Sequence, residues 1–262
     1  MTASLPTSVA QLLPQGIADA LNDQRPAVLL ALAVVVLTVL LLAVVLPLLK
    51  SNRTRGSLIV VAGPCGSGKT TLFYQLRDGS THNGTVASMQ ENSGEVLVKG
   101  DKGRTVGKVT LLDVPGHERL RHRLEQHLKD AAAVIFVVDA ADIMPHKVEA
   151  AEELFEVLTH PSVCRRRVPL LLACNKSDLD TQAHSLDFVR RTIERQLDAM
   201  RKTRATVSPE MAAKAALLGK AGDAGGLSLS LDKLRSPVSA VECSALTGQV
   251  QALHAFLAGF AR

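Results

Sequence analysis

The strongest pattern along the chain is an apolar run. From Ala27 to Leu49 there is no charged residue and almost nothing but Ala, Val and Leu. As a helix rising 1.5 Å per residue, this run would reach roughly 34 Å, enough to cross a hydrocarbon core of about 30 Å. A cleaved signal peptide would want a basic start and an apolar region of about 7–15 residues. Here the run is longer and its basic flank, Lys50, Arg53 and Arg55, lies behind it. The positive-inside rule keeps that flank cytosolic and leaves residues 1–26 on the far, lumenal side. The pattern predicts a single-pass transmembrane helix over 27–49 and a short basic linker over 50–56.

Beyond the linker, apolar runs suited to buried strands alternate with helix-length segments. Strands are expected at Leu58–Ala62, Glu95–Lys99, Lys108–Asp113, Val134–Asp139, Pro169–Cys174 and Val238–Cys243. The Gly100–Gly103 turn joins the second and third as a hairpin. The other spacings suit right-handed βαβ crossovers, so residues 57–262 are expected to form one α/β domain around a mostly parallel six-stranded sheet. Leu186, Val189, Ile193, Leu197 and Met200 make an apolar helical stripe near 184–202. Val250, Leu253, Phe256, Leu257 and Phe260 make another at the end. Residues 203–236 break the pattern with Ser, Pro, Gly and Ala and read as a partly mobile insertion.

Composition adds two constraints. Trp is absent and there are one Tyr and six Phe, so the core must be built from Leu, Val, Ile and Ala. The four cysteines, Cys65, Cys164, Cys174 and Cys243, form no CxxC pair. A disulfide framework or zinc site is therefore not expected. Cys174 and Cys243 end apolar runs and read as small core residues in a reducing compartment. A net charge of +5 suits a surface facing anionic lipid or ribonucleoprotein, although solvated basic side chains explain it as well. Residue 2 is Thr, which excludes myristoylation, and the sequence ends without a prenylation box.

The chemistry lies at strand ends. Gly63-Pro64-Cys65-Gly66-Ser67-Gly68-Lys69-Thr70, followed by Thr71, matches the phosphate-binding P-loop after a strand and before a helix. Its glycines let successive N–H groups point at phosphate oxygens, reinforced by the positive end of the helix dipole. Lys69 is expected to neutralise the β- and γ-phosphates of GTP, and the Thr70 hydroxyl to ligate Mg²⁺. Asp113-Val114-Pro115-Gly116 follows the third strand. Asp113 would hold Mg²⁺ through water, and the Gly116 N–H would sense the γ-phosphate. Asn175-Lys176-Ser177-Asp178 reads guanine: an ionised Asp178 accepts from N1–H and the exocyclic amine, where adenine presents a lone pair. Ser244-Ala245 places the Ala245 N–H against guanine O6. Each piece alone could be an ordinary turn. All of them in this order, each at a strand end, could not.

His117 occupies the position where many GTPases hold a water-orienting glutamine. Either it orients water, or hydrolysis is slow without a partner. The first-switch contact to Mg²⁺ falls to Thr81, Thr85 or Ser88.

These motifs resemble the ADP-ribosylation-factor and Sar branch of the small GTPases. Together with a true span, they resemble the β-subunit family of the eukaryotic signal recognition particle receptor. DVPGHERL at Asp113–Leu120, LACNKSD at Leu172–Asp178 and the late insertion after Met200-Arg201-Lys202-Thr203-Arg204 carry that likeness. The resemblance implies a Ras-like P-loop domain behind one transmembrane helix in the endoplasmic reticulum membrane. It implies GTP and Mg²⁺ as ligands and the receptor α subunit as partner, with the ribosome or translocon nearby. Sequence-specific nucleic acid is not an implied partner. Residues 83–93 and 114–123 would form the contact region. Aligning the family's switch threonine puts Gln90 at that position, which would remove a Mg²⁺ contact. An autonomous cycling GTPase of vesicle traffic and a nucleotide-locked scaffold are the competing functions.

Overall fold

Valine, leucine and isoleucine crowd into the short runs between turns, and in the computed structural model these runs pair into one sheet. The structure describes residues 34–39, 58–81, 88–100, 104–117, 121–219 and 229–262. The chain divides into two units, Met1–Thr54 and Arg55–Arg262. In the first, residues 34–39 are helical, with the side chains of Val34, Val35, Val36, Leu37 and Val39 exposed. The rest of the expected span and the linker at 50–56 lie outside the described residues. Among those described, no helix is long and apolar enough to cross a membrane.

The second unit contains strands β1 (Leu58–Ala62), β2 (Asn92–Lys99), β3 (Thr105–Asp113), β4 (Ala133–Asp139), β5 (Leu170–Asn175) and β6 (Val238–Glu242). Its helices are α1 (Lys69–Asp78), α2 (Arg121–Leu128), α3 (Ile143–Thr159), α4 (Pro161–Arg166), α5 (Leu186–Arg204), α6 (Pro209–Ala216) and α7 (Gln251–Ala258). The six-stranded sheet runs β2-β3-β1-β4-β5-β6. Only the β2–β3 pair is antiparallel. β4 and β5 are covered on both faces, which is why AVIFVVD and LLLACN are continuous apolar runs. Edge strand β2 alternates instead, with Val96 and Val98 buried and Glu95 and Leu97 exposed.

Alternate strand residues feed two cores. Val60, Phe136 and Leu172 pack with Leu154 and Phe155 of α3 and Ile193 and Leu197 of α5. Ile59, Leu111 and Ile135 pack on the other face with Leu72 and Phe73 of α1 and Leu253 and Leu257 of α7. Phe73, Phe136 and Phe155, half of the six phenylalanines, are fully buried. They fill space that aliphatic side chains alone were expected to fill.

Several boundaries differ from the sequence reading. β2 and β3 each begin three residues earlier, because their pairing continues past the apolar positions that marked the strands, to Asn92↔Asp113 at one end and Lys99↔Thr105 at the other. β5 is shifted by one residue, Leu170–Asn175 in place of Pro169–Cys174, and β6 ends at Glu242. The segment 203–236 has more structure than expected. α5 runs to Arg204, and α6 follows with a proline in its first turn and Ser208 Oγ accepting from the Met211 N–H at 3.2 Å. Ala215, Leu218, Leu229 and Leu231 join the core. Residues 220–228 lie outside the described residues. β2 and β3 pair antiparallel and the Gly100 N–H donates to Arg104 O at 2.8 Å, while residues 101–103 of the expected turn lie outside the described residues.

After β1 the chain crosses to edge strand β2, returns through β3 on one side of β1, and later enters β4 on the other. The crevice at that switch point, beyond the carboxyl ends of the strands, is where open α/β sheets take ligands. Register carries Asp113 beside Val61, and Asp139 beside Asn175, to that edge.

Phe136 tests this packing. Phe136→Ala is expected to cost about 3–5 kcal/mol of unfolding free energy, measured by urea denaturation of the detergent-solubilised chain.

Candidate nucleotide-binding site

The loop from Gly63 to Gly68 leaves β1 and feeds α1. Gly68 caps α1 with φ 87°, a left-handed conformation that favours glycine, and a Cβ there would lie 2.3 Å from Asn175 Nδ2. Gly116 approaches even more closely. A Cβ on it would meet Gly63 O at 2.4 Å and Lys69 Nζ at 2.6 Å, so the Asp-x-Pro-Gly turn and the P-loop touch through backbone.

Asn175 joins three motifs. It is 2% exposed; its Nδ2 donates to Ser67 O at 2.9 Å, and its Oδ1 accepts from the Ala245 N–H at 3.0 Å. The Ala245 N–H, expected to face guanine O6, is thus engaged with Asn175. Lys176 sits in the left-handed region at φ 65°, and its Nζ donates to Asp139 Oδ2 at 2.5 Å. Asp139 Oδ1 in turn accepts from the N–H groups of Ala141 and Asp142, at the entry to α3. Ser244 Oγ donates to Asp178 Oδ1 at 2.5 Å and accepts from the Thr247 N–H at 3.1 Å. The Asp178 carboxylate, expected to read guanine, is therefore aimed by the serine of Ser244-Ala245.

Lys69 is buried, and its Nζ donates to Pro64 O at 2.8 Å. Burial pushes its pKa down, while the carboxylates of Glu153 and Asp113 oppose that shift. Beside it, Thr70 Oγ1 donates to Asp113 Oδ2 at 2.7 Å and lies 3.0 Å from Ser88 Oγ. Asn92 Nδ2 also donates to Asp113 Oδ2, at 3.0 Å. Asp113 Oδ1 is buried without a hydrogen-bond partner. A hydroxyl, a carboxylate and an orphaned carboxylate oxygen fit a hard cation such as Mg²⁺, which takes one or two protein oxygens and fills its shell with water and phosphate. No cluster of three or more His, Cys, Asp or Glu occurs among the described residues, and Mg²⁺ needs none.

Two cavities flank the P-loop. One, of about 300 Å³, is lined by Cys65, Lys69, Thr70, Thr71, Ser88 and Gly116 among others; the second, of about 240 Å³, includes Ser67, Asp139, Asp142, His146 and Lys176. A larger one of about 630 Å³, beside Gln75, Leu97, Lys99 and His254, contains none of the motifs. Convergent chemistry, not volume, selects the P-loop cleft.

Ser88 is the switch-interval residue at the cleft. Thr81 and the exposed Gln90 line neither P-loop cavity, and Thr85 lies outside the described residues. His117 is exposed and lines neither cavity. Cys65 is exposed, whereas Cys164, Cys174 and Cys243 are buried free thiols. Burial pushes the Cys243 thiol up to about 12, and that of Cys174 higher still. Asp139 and Asn92 went unread in the sequence. Asp139 had a signal, an acid ending a buried strand, but Asn92 had none.

A P-loop at the switch point of this sheet, with the Asp178 carboxylate held two strands away beyond β5, defines a P-loop domain of the small-GTPase class. Comparison with known proteins narrows this. Residues 54–228 match the family model of the signal recognition particle receptor beta subunit. The mouse signal recognition particle receptor subunit beta is 33% identical over 231 residues, covering 87% of this chain and 82% of that protein. The chain belongs to the signal recognition particle receptor β-subunit family. A solved structure of the mammalian receptor matches with a TM-score of 0.65 and 33% identity, covering 78% of this chain and all of that one. ADP-ribosylation factor-like protein 6 of zebrafish is 34% identical over 122 residues, covering 46% of this chain and 62% of that protein. The six-stranded, mostly parallel Ras-like sheet is thus the family's fold.

Asn175→Ala removes both ends of the junction and leaves Ser67 O and the Ala245 N–H unmet. Guanine-nucleotide affinity is expected to fall on the order of tenfold or more, read by fluorescent-nucleotide titration.

Proposed function

We propose that this chain is the membrane-anchored, GTP-binding subunit of the receptor, and that its GTP-bound domain recruits the receptor α subunit to the endoplasmic reticulum for cotranslational targeting. The observation that carries the guanine reading is the Asn175 junction, which fixes the P-loop and the Asp178 carboxylate in one frame. A Chaetomium thermophilum structure described as an SRb-GTP/SRX complex shares the fold at a TM-score of 0.56 and 24% identity. Family membership and the apolar run at 27–49 support the anchor.

The P-loop amides and Lys69 bind the phosphates, and Asp178 accepts from the guanine edge. Thr70 and Asp113 would hold Mg²⁺, with Ser88 beside them. When bound, Mg²⁺ would offset charge on the β- and γ-phosphates. Gly116 senses the γ-phosphate and transmits its presence to 114–123, which with 83–93 forms the face offered to the α subunit. Hydrolysis is slow or partner-stimulated. The exposed His117, away from both P-loop cavities, favours this over brisk turnover, and it also keeps a nucleotide-locked scaffold as the second reading.

Two experiments test the proposal. Asp178→Asn is expected to weaken GTP roughly a hundredfold or more and to improve xanthosine triphosphate binding; unchanged GTP affinity would remove the guanine assignment. Nanodisc-embedded protein loaded with GTP is expected to retain the α subunit, and GDP-loaded protein or Lys69→Ala to lose it. Equal retention in both nucleotide states would favour the scaffold.

A further inference from the structure

Asn175 and Gly116 are not alone in meeting the P-loop. The N–H of the first loop residue, Gly63, donates within the fold to Glu153 Oε1 at 3.0 Å. Glu153 lies in the middle of α3, ninety positions along the chain, and is 5% exposed. A carboxylate is rarely buried this completely unless it is paired, because desolvating its charge is costly. Placing one beneath a triphosphate site carries a second cost, repulsion from the ligand. A core position flanked by Leu154 and Phe155 would ordinarily take an apolar side chain. Its hydrogen bond to the loop is an interaction that an apolar side chain could not make.

We propose that Glu153 is a positioning residue for the phosphate loop. It fixes the start of the loop through the Gly63 N–H, so that the following amides and Lys69 are held ready for phosphate before the ligand arrives. Preorganisation of this kind raises affinity by lowering the ordering cost of binding. The same carboxylate also acts favourably on the buried Lys69 ammonium, opposing the downward push of burial. α3 thereby becomes part of the nucleotide site without touching nucleotide.

This inference rests on the GTP-binding reading, and its test separates the two. Full-length protein in nanodiscs would be loaded with a fluorescent GDP analogue, and release measured for wild type, Glu153→Gln, Glu153→Ala and Glu153→Met. Glutamine keeps an acceptor for the Gly63 N–H, so its release rate should stay within about threefold of wild type. Alanine and methionine remove the acceptor and should release on the order of tenfold faster. Methionine retains most of the side-chain volume, so it remains informative if the alanine variant does not fold. A purely structural role would change the melting temperature of nucleotide-free protein in step with release. The positioning role predicts faster release from Glu153→Met even at a melting temperature matched to Glu153→Gln. Wild-type-like release from Glu153→Met, or release from Glu153→Gln as fast as from Glu153→Met, overturns the proposal. Failure of wild type to take up the analogue would instead overturn the GTP-binding reading.

Discussion

The site depends on one buried amide. Asn175 needs a donor and an acceptor on the same planar group, because Ser67 O and the Ala245 N–H stand on opposite sides of it. Aspartate would offer only acceptors and leucine neither. The strand explains why the side chain is there. β5 extends through Asn175, so the amide is aimed by sheet register and pairs across to Asp139 of β4. Lys176 then turns out through the left-handed region and reaches that same Asp139. A turn that begins inside the sheet has little freedom, and Asp178 inherits that rigidity.

Charge in the site is arranged with comparable economy. Lys69, Asp113 and Glu153 are each buried, so each would be costly alone. The charges of both acids favour the Lys69 ammonium, and the acids also accept from Thr70 Oγ1, Asn92 Nδ2 and the Gly63 N–H. Thr70 and Ser88 bring hydroxyl oxygens toward Asp113, whose second oxygen has no partner. The arrangement is satisfied on its protein side and open on the side where a phosphate and a cation would enter.

Much of this could be read from the sequence, for identifiable reasons. Continuous runs such as LLLAC and VIFVV announce strands buried on both faces, and the motifs sit where those runs end. The P-loop, Asp113, Asn175 and Ser244-Ala245 were legible because their spacing and their strand-end context agree. Other features depend on tertiary distance. Nothing local marks Glu153 within the AAEELF of an amphipathic helix as the acid that meets Gly63. Nor could spacing choose Ser88 over Thr81, since an interval of loop residues has no period. Helix α6 did carry a local signal, Ser208-Pro209-Glu210, but eight residues are too few for an apolar stripe to stand out.

The contrast between binding and turnover follows from where each residue is mounted. Asp113 and Asn175 end their strands, so backbone pairing across the sheet fixes them, and Asn175 ties Ser67 of the P-loop and Ala245 to that frame. His117 stands four residues past the end of β3, exposed, with no strand to aim it. A group that orients water must be held to within a fraction of an ångström to contribute fully. The sheet provides that accuracy for phosphate and base but not for His117. On the proposed reading, such a domain would hold nucleotide firmly, with its rate of hydrolysis set by whatever surface covers residues 114–117.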